Sequence, residues 1–367
     1  MTVPPAPPPG PQWAPGPLAT ASTHGIRGQA IRSLHWLPAR RGPLKVTSLP
    51  FLRPLALATL VLGGMSLLLA GAPRPQPADA QAASAPSQQP AAFPIRPLAQ
   101  VRFLAVADTG SGNGHQQAVA DRMVERHRQL PVDLVVLGGD NIYPDGSLSR
   151  VESTFHRPYR ALLEAGVPFH AVLGNHDIRT ANGEHQLAFR PFGMKGRWYA
   201  LRRGPVELFF LDTNHNAAWQ HQMPWLKKAL AASTAPWKVV VGHHPIYSSG
   251  FYGDDPVAIA RLTPLFERHG VQLYINGHEH HYERSRPLTG TTYLQVGGGG
   301  ASLRAVLPNE RSALAVSAYS FAEISVTAER LEILAWDARG RRLDQAVLRR
   351  SGTDGATGGS ALLPSQP

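Results

Sequence analysis

Residues 101–110 read VRFLAVADTG, an apolar run that ends in an aspartate, a threonine and a glycine. We predict a buried strand over Val101–Ala107, since a short apolar run bounded by turn residues is typical of the interior of a sheet. Asp108 follows this strand directly. Ligands bind at the carboxyl edge of α/β sheets, so Asp108 is the first candidate for a functional side chain.

The pattern of an apolar run followed by a turn recurs along the chain. The other predicted strands of this group are Asp133–Leu137, Phe169–Leu173, Val206–Leu211, Lys238–Val241 and Gln272–Ile275, and helices are predicted at His115–Arg128, Glu152–Glu164, Pro224–Ala232 and Pro256–His269. Their alternation predicts an α/β sheet built from βαβ units. Later strands are predicted at Thr291–Val296, Phe321–Val326, Arg330–Asp337 and Leu343–Leu348. No long helices lie between these later runs, which favours a second sheet packed on the first.

Five of the first six strands lead into residues of metal-binding type. These residues are Asp108, Asp140 with Tyr143, Asn175 with His176, His243, and His278 with His280. A glycine before each of the last four groups lets the backbone turn sharply, so that the side chains converge. Any one of these residues could cap a helix, shape a turn or pack in the core, but five at strand ends indicate a shared metal centre. The chain has no cysteine, so the ligands are oxygen and imidazole, which suits iron, manganese, zinc or magnesium.

The same strand ends form five short sequence blocks. They are ADTG at 107–110, GDNIY at 139–143, GNHD at 174–177, GHHP at 242–245 and GHEH at 277–280. In this order they resemble the calcineurin-like metallophosphoesterase superfamily and, because Tyr143 stands three residues after Asp140, its purple acid phosphatases. Residues 211–213 and 225–228 are similar to the small tartrate-resistant type, and 280–284 to the plant enzymes. The resemblance implies a two-sheet β-sandwich flanked by helices, in four layers ordered αββα.

The resemblance also implies the ligands of a dinuclear centre. Asp108, Tyr143 and His280 would bind the first metal, and Asn175, His243 and His278 would bind the second, with Asp140 bridging the two. The first metal of the family is ferric iron bound by a tyrosinate, and the second is ferrous iron, zinc or manganese. The donor chemistry agrees, because phenolate and carboxylate suit a trivalent ion and imidazoles suit a divalent one.

The resemblance places further residues on the substrate side. His176 would bind the substrate and protonate the leaving alkoxide, with Asp177 orienting it, and His244 and Tyr247 would line the pocket. His244 could equally support His243. Such an enzyme would hydrolyse phosphate monoesters by attack of a metal-bound hydroxide. The alternatives are a phosphodiesterase or nucleotide hydrolase, or a non-catalytic surface protein that binds metal or phosphate.

The termini differ in composition from the rest of the chain. Residues 1–50 are rich in proline, alanine and arginine, which predicts disorder or translated upstream sequence. Residues 51–80 are predicted to be a signal peptide or membrane anchor, because 51–72 is apolar and 78–80 (ADA) is a small-x-small cleavage pattern. Residues 81–98 are a Pro/Ala/Ser-rich linker, 99–350 the metallophosphoesterase domain, and 351–367 a disordered tail. We therefore expect a periplasmic or extracellular protein, on the membrane only if 51–72 is uncleaved.

The charge distribution argues for a small partner. The net charge is +11, and residues 1–80 contribute +6 of it, from seven basic residues and one acidic residue. The remainder has no dense Lys/Arg run, which favours a small phosphorylated substrate over a nucleic acid. Without cysteine there is no disulfide, and the sequence leaves open a monomer or an oligomer of unknown size.

Overall fold

The computed structural model describes residues 99–350. The predicted N-terminal extension (1–50), signal or anchor (51–80), linker (81–98) and C-terminal tail (351–367) lie outside the described residues. Within residues 99–350, no helix has both the length and the apolar character required to cross a bilayer.

The described residues form thirteen strands and five α-helices. The strands are β1 Val101–Val106, β2 Leu134–Leu137, β3 Phe169–Ala171, β4 Tyr199–Arg203, β5 Val206–Phe210, β6 Trp237–Val241, β7 Leu273–Asn276, β8 Tyr282–Ser285, β9 Thr292–Val296, β10 Ser312–Val316, β11 Ser320–Val326, β12 Arg330–Asp337 and β13 Arg342–Arg349. The helices are α1 Gly114–Gln129, α2 Arg157–Glu164, α3 Glu184–Ala188, α4 Trp219–Ala232 and α5 Pro256–His269. All ten predicted strands and all four predicted helices are confirmed, whereas the short elements β4, β8, β10 and α3 had no prediction.

The strands form two mixed sheets. One sheet has the order β13-β12-β11-β1-β2-β3, and the other has the order β10-β8-β9-β7-β6-β5-β4. The sequence favoured one sheet of the earlier strands and a second sheet of the later strands, and this division is wrong. The chain leaves the first sheet after β3 and returns with β11, which pairs antiparallel with β1. β1 is buried along its whole length, so it needs a neighbour on both edges, and β2 and β11 provide them.

The side chains of β1 show how the layers are built. Phe103 and Ala105 lie in the core between the two sheets, while Leu104 and Val106 pack under the helices on the outer face, with Met123 of α1 among them. α4 and α5 cover the outer face of the other sheet through a third cluster. The predicted four-layer αββα architecture is therefore confirmed.

Candidate metal centre

The ligand candidates lie in the loops that follow β1, β2, β3, β6 and β7. Three of them, Asp108 (φ 57°), Asp140 (φ 52°) and His278 (φ 69°), have left-handed backbone conformations. For a residue with a side chain this conformation costs about 1–3 kcal/mol and is concentrated at functional sites. The turn after each strand thus aims its side chain at a common point instead of letting the chain continue outward.

Asp108, Tyr143 and His280 form one group. The Tyr143 hydroxyl donates to Asp108 Oδ1 at 3.0 Å, and His280 Nε2 lies 3.4 Å from the same oxygen and 3.3 Å from the hydroxyl. On the other side of the ring, His280 Nδ1 lies 2.7 Å from the carbonyl oxygen of Ser302. Nδ1 therefore donates its proton to this carbonyl oxygen, and Nε2 faces Asp108.

Asn175, His243 and His278 form a second group. Asn175 Oδ1 lies 3.1 Å from His243 Nε2 and 2.9 Å from His278 Nδ1. His243 is fully buried, and its Nδ1 lies 2.9 Å from the carbonyl oxygen of Gly138, which leaves Nε2 to face the site. Asp140 stands beside this group, with Oδ1 at 3.5 Å from His243 Nε2.

The donor atoms are close enough to share cations. One ligand atom each from Asp108, Asp140 and His243 lies within 4.8 Å of the others, and the same holds for His243, His244 and His278. His243 belongs to both sets, as expected for two neighbouring ions. Tight packing maintains this convergence, because a Cβ added at Gly277 would overlap Asp108 Oδ2 and one at Gly174 would overlap Asp140. The residues therefore fit a pair of metal ions.

The electrostatics of the centre favour a cation. Burial acts to raise the pKa of Asp108, but the hydrogen bond to His280 and the charge of His243 outweigh it and hold the pKa at about 2. Burial and the charge of His243 lower the pKa of His278 to about 3, which keeps this imidazole neutral and able to bind a metal. Burial and the carboxylates of Asp108 and Asp140 raise the pKa of Tyr143. Ionisation of Tyr143 therefore requires a bound cation.

His176 lies at the edge of the centre. Its backbone N–H donates to Asp140 Oδ1 at 2.8 Å, and its ring meets Tyr143 edge-on with 4.5 Å between centroids. Nδ1 lies 2.6 Å from the carbonyl oxygen of Pro144, and Nε2 accepts from Arg179 Nη2 at 3.2 Å. His176 Nε2 also lies 4.0 Å from Asp140 Oδ2.

Asp177 does not contact His176, although the resemblance implied that it orients this residue. It is fully buried, and its oxygens accept from the backbone N–H groups of Asn141, Ile142 and Gly174 and from Gln186 Nε2. The carbonyl oxygen of Pro144 holds His176 instead. Asp177 thus ties together the loops that carry Asp140 and Asn175, which is a positioning role.

The two residues predicted to line the pocket have different outcomes. His244 lies beside the centre, with its ring centroid 4.6 Å from that of His278 and its Nδ1 3.0 Å from Thr213 Oγ1. Tyr247 instead packs on Tyr293, with centroids 4.9 Å apart, and is half-buried against the cluster under the outer helices. The expectation that Tyr247 lines the pocket is therefore wrong, because its ring turns inward to cover β9.

Sequence reasoning missed Tyr252 and Arg304. The Tyr252 ring stacks on His278 with 4.5 Å between centroids and 25° between planes. Arg304 donates from Nη1 to the carbonyl oxygen of His278 at 2.8 Å and from its backbone N–H to that of His280 at 3.1 Å. Both lie in loops, and the available signal was an aromatic pair, Phe251 and Tyr252, after the GHHP block.

Comparisons with known proteins agree with this geometry. Residues 101–282 match the family described as calcineurin-like phosphoesterase. Purple acid phosphatase 7 of Arabidopsis thaliana is 29% identical over 282 residues, which cover 68% of this chain and 86% of that protein. Tartrate-resistant acid phosphatase type 5 of Sus scrofa is 26% identical over 302 residues, which cover 69% of this chain and 88% of that protein.

Two solved structures share the fold. GAP50, the anchor in the inner membrane complex of Plasmodium, has a TM-score of 0.61 at 20% identity, over 70% of this chain and 90% of that one. A purple acid phosphatase from seeds of yellow lupin (Lupinus luteus) has a TM-score of 0.60 at 19% identity, over 72% of this chain and 57% of that one. The sequence matches confirm the predicted resemblance to the calcineurin-like phosphoesterases and, among them, to the purple acid phosphatases, which are phosphoric ester hydrolases, and the solved structures confirm the fold.

Proposed function

We propose that this protein is exported and hydrolyses phosphate monoesters at a centre of two metal ions. The observation that supports the proposal most directly is the meeting of two ligand groups around Asp140. Asp108, Tyr143 and His280 contact one another, Asn175, His243 and His278 do the same, and Asp140 Oδ1 approaches His243 while its Oδ2 approaches His176.

The donor chemistry suggests which ion each group holds. Asp108, Tyr143 and His280 offer a carboxylate and a phenol, which suit ferric iron, whereas Asn175, His243 and His278 offer an amide oxygen and two imidazoles, which suit ferrous iron, zinc or manganese. Asp140 would bridge the two ions. When bound, such a pair supplies a water of lowered pKa and binds the oxygens of the phosphate.

The reaction adds water to phosphorus and breaks the bond to the ester oxygen, which leaves as an alcohol after taking a proton. His176 is placed to supply that proton from Nε2, because Nδ1 is fixed at the carbonyl oxygen of Pro144. Arg179 donates to Nε2 in the structure, so the guanidinium must move away before Nε2 can carry a proton. His244 is half-buried beside His243, and desolvation and the charge of His243 hold its pKa well below the ordinary value. It is therefore a neutral residue of the pocket wall.

Export is proposed from the sequence alone. Residues 51–72 are apolar and residues 78–80 form a small-x-small pattern, so the mature protein would begin near Gln81. Mass spectrometry of material from outside the cytoplasm tests this start. Recovery of the uncleaved chain on membranes would replace the signal peptide with an anchor.

The central experiment combines elemental analysis, a visible spectrum and release of inorganic phosphate from phenyl phosphate. We expect two metal ions per chain, a charge-transfer band that Tyr143→Phe abolishes, and phosphate release. Tyr293→Phe is the matched control, since that hydroxyl is buried away from the ligands with no hydrogen-bond partner.

Two results would change the proposal in different ways. Activity in a colourless protein loaded with zinc or manganese keeps the hydrolase and removes the iron–tyrosinate assignment. Two bound ions without hydrolysis of mono- or diesters would instead show a binding protein on the same scaffold.

A further inference from the structure

A groove of about 640 Å³ lies beside the metal centre. It is lined by residues 249–252 of one loop and by Arg304, Ala305 and Leu307 of another, and we call it the aromatic groove. Tyr252 forms part of its wall and also stacks on the candidate ligand His278. The groove therefore adjoins the candidate ligand His278.

The loop that carries Arg304 is anchored to the same ligands. Arg304 donates to the carbonyl oxygens of His278 and His280, and its guanidinium lies 4.9 Å from the centroid of the Tyr252 ring. Ser302 of this loop holds His280 Nδ1. These bonds fix the groove wall relative to the centre, so that a ligand in the groove has a defined distance to a phosphate at the metals.

The surface of the groove is unusually apolar for an exposed position. Phe251 is 79% exposed and Leu307 is 82% exposed, and Tyr252 is 52% exposed. Among residues 99–350, the other exposed large hydrophobic side chains, Leu130, Val257 and Val347, lie outside the groove. A cluster of exposed apolar side chains at the mouth of a site indicates a bound apolar group.

We propose that the aromatic groove binds the leaving group of the substrate and selects phosphate monoesters of aromatic alcohols. A phosphate held at the metals must extend its organic part to one side, and beside His278 it meets Phe251, Tyr252 and the planar guanidinium of Arg304. Aromatic rings and guanidinium groups stack on planar rings, whereas a short alkyl chain gains little from these surfaces. This inference rests on the proposed phosphomonoesterase activity.

The test compares benzyl and ethyl phosphate, because both release an alkoxide and differ chiefly in the ring. We expect wild-type kcat/KM to be roughly 2- to 10-fold higher for benzyl phosphate, the range usual for one aromatic pair. Phe251→Ala and Leu307→Ala should lower this preference, chiefly by raising KM for benzyl phosphate. Phe251→Tyr, which keeps an aromatic ring at this position, should retain the preference for benzyl phosphate. Leu130→Ala is the matched control, as Leu130 is exposed at the end of α1, beside the start of β1 and away from Asp108.

Binding of benzylphosphonate and ethylphosphonate, measured by calorimetry on the metal-loaded protein, separates the groove from the reaction. Tighter binding of benzylphosphonate that Phe251→Ala abolishes supports the groove even if neither ester is hydrolysed, a result that would count against the proposed function alone. Hydrolysis of both esters with equal kcat/KM and equal phosphonate affinity overturns the groove and leaves the function standing. An equal loss in Leu130→Ala and Leu307→Ala also overturns it.

Discussion

Asp177 holds Asn141 through a single oxygen, Oδ2, which accepts from both the backbone N–H and the side-chain Nδ2 of Asn141 at 3.1 Å each. Gly174 N–H donates to the same oxygen at 2.8 Å, and Ile142 N–H donates to Oδ1 at 3.1 Å. The loops after β2 and β3 are therefore locked to each other. Asp140 and Asn175, which these loops carry, owe their relative position to this buried carboxylate.

We expect Asp177→Asn to lower both stability and metal content. An asparagine offers one acceptor oxygen and an NH₂ group that faces other donors, and each buried donor left unpaired costs about 1–3 kcal/mol. Chemical denaturation and elemental analysis measure the two effects. Asp121→Asn is the control, because Asp121 is exposed on α1 and accepts from the neighbouring Gln117 of the same helix. A variant with normal stability and metal content that is slow only on alkyl esters would return Asp177 to the role of orienting His176.

Asp177 was expected to orient His176, whereas in the structure it joins the loops after β2 and β3. This difference shows what local sequence patterns reveal. A strand followed by a glycine and a polar residue is a local pattern, so the loops that carry Asp108, Asp140 and His243 could be identified from the sequence. The direction of a side chain within a loop depends on distant neighbours, and this is why Tyr247 was misplaced and Tyr252 missed. The pairing of Val101 with Val326 is likewise non-local, so the division into two sheets could not be predicted from periodicity.

The bridging role of Asp140 predicts a difference between two ligand variants. A carboxylate that serves two cations supports both, whereas the amide oxygen of Asn175 lies beside His243 and His278 of the second group. Asp140→Asn should therefore lose both ions, and Asn175→Ala should lose mainly the divalent one. Metal stoichiometry after dialysis is the measurement. Equal loss of both ions in the two variants would refute the assignment.

A buried ion-pair network far from the metals predicts acid sensitivity. Glu323 of β11 pairs with Arg102 of β1 and with Arg126 of α1, the latter at 2.8 Å. Burial acts to raise the pKa of Glu323, but the hydrogen bonds and charges of the two arginines outweigh it, so the pKa lies below its ordinary value of 4.5. The unfolded chain thus binds the proton more tightly, and the pair contributes stability above pH 4.5 that is lost as the pH falls through the folded pKa.

We expect Glu323→Gln to cost about 3–5 kcal/mol near neutral pH, because the buried guanidinium of Arg102 and the half-buried guanidinium of Arg126 lose their carboxylate partner. The difference in free energy of unfolding between wild type and variant should shrink below pH 4.5, as the wild type loses its own ion pairs. Urea denaturation at several pH values measures it. Glu125→Gln removes an exposed pair with Arg122 and should cost at most about 0.5 kcal/mol at any pH. A pH-independent cost at Glu323 would mean that packing, rather than charge, holds β11 to α1.

His176 gives a test of the proton donor that does not depend on which metals are bound. It follows Asn175 directly, yet its ring lies against Tyr143, with Nδ1 held by the carbonyl oxygen of Pro144. A general acid contributes about 10²- to 10⁴-fold, and most when the leaving group is poor. His176→Ala should therefore keep both ions, lose activity severely on alkyl phosphates and lose much less on 4-nitrophenyl phosphate, whose phenolate departs without a proton.

The matched comparison for His176 is His243→Ala, which removes a candidate ligand and should depress both substrates alike together with metal content. Arg179→Gln provides a second comparison, because it removes the guanidinium that donates to Nε2 and leaves the imidazole in place. If Nε2 carries the proton in the reaction, Arg179→Gln should retain the ratio of alkyl to aryl activity that His176→Ala destroys. Loss of metal in His176→Ala, or an equal loss on good and poor leaving groups, would make His176 a ligand or a support for the turn instead of the acid.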